Sequence, residues 1–63
     1  MLRIEYERRK RGWTQTALGY FAKVGPQDIS RIERGWLKPY SGMAKRLSAV
    51  LGVPVEELTK EVK

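Results

Sequence analysis

Apolar residues recur three and four positions apart along most of this 63-residue chain, and Gly or Pro interrupts the rhythm every ten residues or so. Five short helices follow from that pattern. The first covers 3–11, with Ile4 and Arg8 on one face, Glu7 and Arg11 near it, and Leu2 and Tyr6 as a second apolar pair; Gly12 stops it. Thr14 caps a second helix over 15–22, where Leu18 and Ala22 face inward. Gly19 sits in its middle, a position that favours Ala unless another helix crosses closely over it. Lys23-Val24 makes a turn, with Val24 as a hydrophobic staple, into a third helix over 26–34. Gly25 is its N-cap, Pro26 takes the first helical position, where a missing N–H is harmless, and Gly35 ends it.

After a loop holding Pro39, Ser41 caps a fourth helix over 41–51, whose apolar stripe is Met43, Ala44, Leu47, Val50 and Leu51. Gly52 ends it. A fifth helix opens at Val53-Pro54, carries Glu56 and Glu57 in its first turn and turns Val55, Leu58 and Val62 to one side. The tail from Thr59 is expected to fray. Trp13 reads as a core plug between helices. No stretch alternates with period two for long enough to make a strand. The expectation is an all-α bundle in one domain, 1–63.

Composition narrows the chemistry. With no Cys and no His, disulfides and the common zinc sites are excluded, so helix packing must stabilise the fold, helped by a partner subunit if there is one. No apolar run approaches the roughly 20 residues that span a bilayer, and Met1-Leu2-Arg3-Ile4-Glu5 does not open a signal peptide. A cytoplasmic protein is expected. An enzyme is not: there is no plausible carboxylate pair, and Ser30, Ser41 and Ser48 have no base at useful spacing. No cofactor, metal or small-molecule substrate is expected.

The formal charge is +6, from 13 Lys and Arg against 7 Asp and Glu, and it is mixed into the helical pattern rather than gathered in a tail. That balance suits a phosphate-rich partner, although a soluble domain with a charged coat would look the same from charge alone. The third helix decides between them. Ile29, Ile32 and Glu33 fall on one face; Gln27, Arg31 and Arg34 fall opposite, with Asp28 beside them. Arg pairs with guanine and Gln with adenine through two hydrogen bonds each, so this outer face fits the base edges of duplex DNA. Asp28 either accepts from cytosine or orients Arg31 three residues on. Gln15, at the start of its helix, is placed to hold a phosphate. Ser30, Arg34, Lys38 and Arg11 are candidates for the DNA backbone, while Arg9 and Lys10 read as a solvated helix end.

Taken together, Arg8, Thr14-Gln15, Leu18-Gly19, Val24, Ile29, Ile32-Glu33, Gly35, Pro39 and Leu51-Gly52-Val53 resemble the helix-turn-helix of the phage-repressor and Cro family, from Ile4 to Leu58. The resemblance implies a five-helix, lambda-repressor-like bundle with its helix-turn-helix at about 15–34, bound in the major groove of double-stranded DNA. It implies that Pro26, Gln27, Asp28 and Arg31 read bases, that Gln15 holds a phosphate, and that Arg34 and the Gly35 to Lys38 loop grip the backbone. It also implies an internal ion pair between Arg8 and Glu33. Four places depart from the family pattern: Lys23 stands for a turn Gly, Gly25 for Ser or Thr, Glu7 for Leu, and the aromatic pair Tyr20-Phe21 for polar residues.

The function expected on this basis is sequence-specific regulation of transcription, as in a bacterial, archaeal or phage-encoded repressor. A homodimer is expected on DNA, joined through Val55, Leu58 and Val62 or through the loop before the fourth helix. The alternative is a protein-interaction module or antitoxin-like partner on the same fold, which an exposed Tyr20 and Phe21 would support; the two rings are expected instead to cover Trp13 or a neighbouring loop, because a small core recruits what it can.

Overall fold

The computed structural model describes residues 1–62. Four α-helices account for most of them: α1 (Arg3–Lys10), α2 (Gln15–Ala22), α3 (Pro26–Glu33) and α4 (Ser41–Leu51). Arg11 and Arg34, expected as final helical residues, are instead C-caps. Ser41 does not cap α4; Tyr40 is the N-cap and Ser41 the first helical residue. Thr14 caps α2 by accepting from the amide of Ala17 at 3.0 Å.

The expected fifth helix is only a single 3-10 turn, Val55–Glu57, and the expected frayed tail is paired. Both corrections have one cause. Leu2, the N-cap of α1, offers no side-chain oxygen to the free N–H groups of that helix. The chain beyond the 3-10 turn supplies carbonyls in its place: Arg3 N–H donates to Lys60 O at 2.8 Å and Ile4 N–H to Leu58 O at 2.9 Å. Val62 N–H returns a bond to Met1 O at 2.8 Å, making an antiparallel bridge around Leu2 and Glu61. A continued helix would have kept the carbonyl of Leu58 for the amide of Val62.

One apolar core joins all the elements. Ile4, Leu18, Ile29, Ile32, Leu47, Leu51 and Leu58 are fully enclosed, each a contribution of about 1.5–3 kcal/mol from burial. Trp13 packs at the edge of this core, half-buried, with the Phe21 ring 4.8 Å from its own. Leu58 is wholly interior, so it is not available as a contact between subunits; of the three residues expected there, Val55 is the exposed one.

Among the described residues three charged ones are buried with these apolar side chains: Glu7, Arg8 and Glu33. Glu7 is tolerated in a position suited to Leu because two arginines meet it, Arg3 Nε and Arg11 Nη1, each at 2.8 Å. Arg11 also donates to the carbonyls of Glu7 and Leu51, which ties α1 to the end of α4. Hydrogen bonds from Arg11 and then Arg3 hold the Glu7 carboxyl below its usual range, against the opposing effect of burial.

The turn between α2 and α3 explains Gly19 and Lys23. A Cβ on Gly19 would lie 2.4 Å from the carbonyl oxygen of Val24, so the close neighbour is turn backbone rather than a crossing helix. Lys23 adopts the left-handed conformation at φ 56°, ψ 47°, the shape a Gly would take without strain. Arg46 of α4 donates to Ala22 O at 2.9 Å and so holds the end of α2.

Candidate nucleic-acid interface

Helix α3 is eight residues long and sharply two-sided. Ile29 and Ile32 are completely buried and Glu33 nearly so. On the other side Gln27, Ser30, Arg31 and Arg34 follow one another at intervals of three, one and three, which is one stripe of a helix. Gln27, Arg31 and Arg34 are exposed and Ser30 half-buried; Pro26, also exposed, forms the tip. Within this stripe Arg31 Nη1 donates to Asp28 Oδ1 at 3.1 Å. More than half of the Arg31 side chain stays open to solvent, so the pair steers the guanidinium without consuming its other donors.

The helix is fixed to the body through Glu33, in its last turn. Arg8 Nε donates to Glu33 Oε2 at 2.7 Å and Arg8 Nη2 to Glu33 Oε1 at 3.0 Å, a two-pronged bond that joins α1 to the last turn of α3. Glu33 and burial act on Arg8 in opposite senses, and the bond to Glu33 prevails, so the guanidinium is held protonated more firmly than usual. Gln15 Nε2 adds a third donor to Glu33 Oε1 at 3.0 Å, linking the start of α2 to the end of α3. At the other end the Gly25 carbonyl accepts from Asp28 and Ile29, which closes the first turn behind Pro26.

Beyond α3 the chain folds back on it. Gly35 lies at φ 78°, and Trp36 N–H donates to Arg31 O at 2.8 Å. That reversal brings the Arg34 guanidinium over the Trp36 ring, 5.0 Å from its centre. Trp36 is the largest exposed side chain at this end, and Lys38 is exposed in the same loop. The sequence placed Trp36 only within the Gly35 to Lys38 loop; an aromatic residue two places after the final Arg, across a Gly, was the signal for naming it.

The predicted residues therefore divide. Pro26, Gln27, Asp28, Ser30, Arg31 and Arg34 share one surface, and Lys38 is exposed in the loop that follows α3. Gln15 reaches the end of α3 through its bond to Glu33. Arg11 lies apart, with its guanidinium bonded to Glu7 and Leu51. Among the described residues no group of His, Cys, Asp or Glu is arranged to hold a metal, and no helix is long and apolar enough to cross a membrane.

A stripe of amide and guanidinium donors on a rigidly held helix can make paired bonds to base edges, with cations behind it for phosphates. No curated protein matches the chain. The helix-turn-helix family, one of DNA-binding regulators, matches it over residues 4–58, from inside α1 to the last buried leucine. By that match, the chain belongs to the helix-turn-helix family of the phage-repressor and Cro type.

Proposed function

We propose that this protein is a sequence-specific regulator of transcription that reads double-stranded DNA by laying α3 in the major groove, with residues 1–63 acting as one DNA-binding domain. The observation that carries the proposal is the division of α3: two isoleucines with no solvent contact on one side, and Gln27 and Arg31 exposed on the other. Gln27 and Arg31 read bases, Pro26 sets how closely the helix tip approaches, and Asp28 aims Arg31. Ser30, Arg34 and Lys38 hold the backbone, and Gln15 fixes the end of α3 while offering its remaining amide groups to a phosphate. Arg11 is better assigned to the fold, since Glu7 and Leu51 already engage it.

One helix of this length reads only a few base pairs, so we further propose a two-fold dimer on adjacent half-sites. Val55 and the aromatic residues Trp36 and Tyr40 of the loop before α4 are the exposed candidates for its contact. Such a regulator would act in the cytoplasm, where the DNA of a bacterium or archaeon lies. Selection of bound sites from a random duplex pool tests the whole reading. A palindromic consensus supports it; recovery of no consensus refutes sequence-specific reading, and a consensus without symmetry refutes the dimer.

A second reading, a protein-interaction module that no longer reads DNA, draws on Tyr20 and Phe21, which are 80% and 50% exposed on α2. Binding to random duplex at low salt separates the two, since the module would show none.

A further inference from the structure

A broad concavity lies beside the α3 stripe and meets it at Pro26. It is an open groove of about 680 Å³ beside α2, lined by Thr16, Gly19, Tyr20, Phe21, Val24 and Pro26, with Lys23 at its edge. Its walls are mostly apolar, and Lys23 is the one charged residue among them. The two aromatic walls are held in place rather than loose. Phe21 rests on Trp13 with ring centres 4.8 Å apart, and Tyr20 meets Phe21 edge-on at 5.6 Å. The floor at Gly19 has no room for a side chain, because Val24 O closes the space where a Cβ would stand. The core does not enclose these rings: Tyr20 is 80% and Phe21 50% exposed, and both lie outside the buried cluster.

We propose that this groove is a docking site for a segment of another protein that presents apolar side chains together with a carboxylate. Apolar anchors fill the space between the Tyr20 and Phe21 rings, and the carboxylate pairs with the Lys23 ammonium. Charge decides the class of partner. No carboxylate lines the groove, its single charged group is a cation, and the whole chain stands at +6, so an acidic segment is favoured and a basic one repelled. DNA fits the site less well, because the walls offer phosphate mainly apolar surface, with few donors. Fixed aromatic rings around a concave site are the usual anchors of a protein contact, since little side-chain freedom is lost when they are covered.

The test is selection of binders from a random-peptide display library against the whole protein, followed by mapping of the selected peptides on its amide resonances. The expected winners combine aromatic or aliphatic residues with Asp or Glu. They shift the amides of Thr16, Gly19, Tyr20, Phe21, Lys23 and Val24, and lose about tenfold or more in affinity against Tyr20→Ser. Lys23→Gly keeps the left-handed turn, removes the ammonium and should weaken the same peptides severalfold. Tyr20 is exposed enough for the Ser variant to fold, and an unchanged amide spectrum elsewhere checks that it does. Failure to enrich any peptide overturns the proposal. So does enrichment of basic peptides, a map centred on Arg31 and Arg34, or self-association of the protein that Tyr20→Ser abolishes.

Discussion

Arg8 and Glu33, 25 residues apart in sequence, face each other through two hydrogen bonds of 2.7 and 3.0 Å in a nearly closed site between α1 and α3. The remaining Arg8 nitrogen donates to Trp13 O at 2.8 Å, so each of the three guanidinium nitrogens has a partner. Removing one partner leaves the other charge enclosed and alone. Glu33→Leu should therefore destabilise the fold by about 3–5 kcal/mol, a large part of what a domain this small possesses. Adding Arg8→Met should recover part of that loss, because no unpaired charge then remains. Urea denaturation of both single variants and the double variant checks this; a loss below about 1 kcal/mol for Glu33→Leu would show that water reaches the site.

Glu7 should make stability depend on acid. Arg11 and Arg3 hold its folded-state pKa below the usual 4.5, so as pH falls the unfolded chain takes up the proton first. Its contribution is complete above pH 4.5 and disappears as pH drops through the lower folded value. Glu7→Gln removes that contribution. The gap in stability between the native protein and the variant should be constant from pH 7 to 5 and narrow below pH 4.5. Urea midpoints across that range measure it, and a gap that widens in acid would reverse the assignment.

The turn after α2 yields two substitutions of opposite sign. Lys23→Gly relieves a left-handed backbone and should stabilise by about 0.5–1 kcal/mol, after the greater freedom of Gly in the unfolded chain is subtracted. Gly19→Ala gains helix propensity but drives a methyl group against the Val24 carbonyl, and the backbone must shift to admit it. A net loss of about 1–3 kcal/mol is expected, read from thermal unfolding of the two variants side by side.

What could be read from the sequence, and what could not, follows from the range of the interactions. The starts of α2 and α3 were legible because Thr14, Gly25 and Pro26 act within a turn of themselves. The inward set Leu18, Ile29 and Ile32 was legible because a periodic stripe has one buried side. The end of the chain was not. Val55, Leu58 and Val62 have helical spacing, yet Leu58 serves the core while its carbonyl and that of Lys60 serve the first amides of α1, a demand arising some 55 residues away. The bonds of Arg11 were hidden for a related reason: on α1 it resembles any exposed cation, and only the folded chain brings Leu51 O within 2.9 Å of it. On the α3 surface the spacing of Gln27, Arg31 and Arg34 could be read directly, whereas the stack of Arg34 on Trp36 depends on the reversal at Gly35.

Two cations on the proposed DNA face should fail in different ways. Arg31 stands in the middle of the outward stripe, aimed by Asp28, where its fork can meet both acceptors of one guanine. Arg31→Ala should weaken binding to the selected site by about 1–3 kcal/mol and relax the preference at one base position in each half-site. Lys38 lies in the loop past α3, exposed, a point charge suited to a phosphate. Lys38→Ala should weaken all duplexes alike and lower the slope of log affinity against log salt by about 1 for each subunit bound, with the consensus unchanged. Repeating the site selection and a salt titration on both variants distinguishes the roles. An unaltered consensus and affinity for Arg31→Ala would remove this residue from base reading, and a narrowed salt slope for that variant with no change in preference would move it to the backbone.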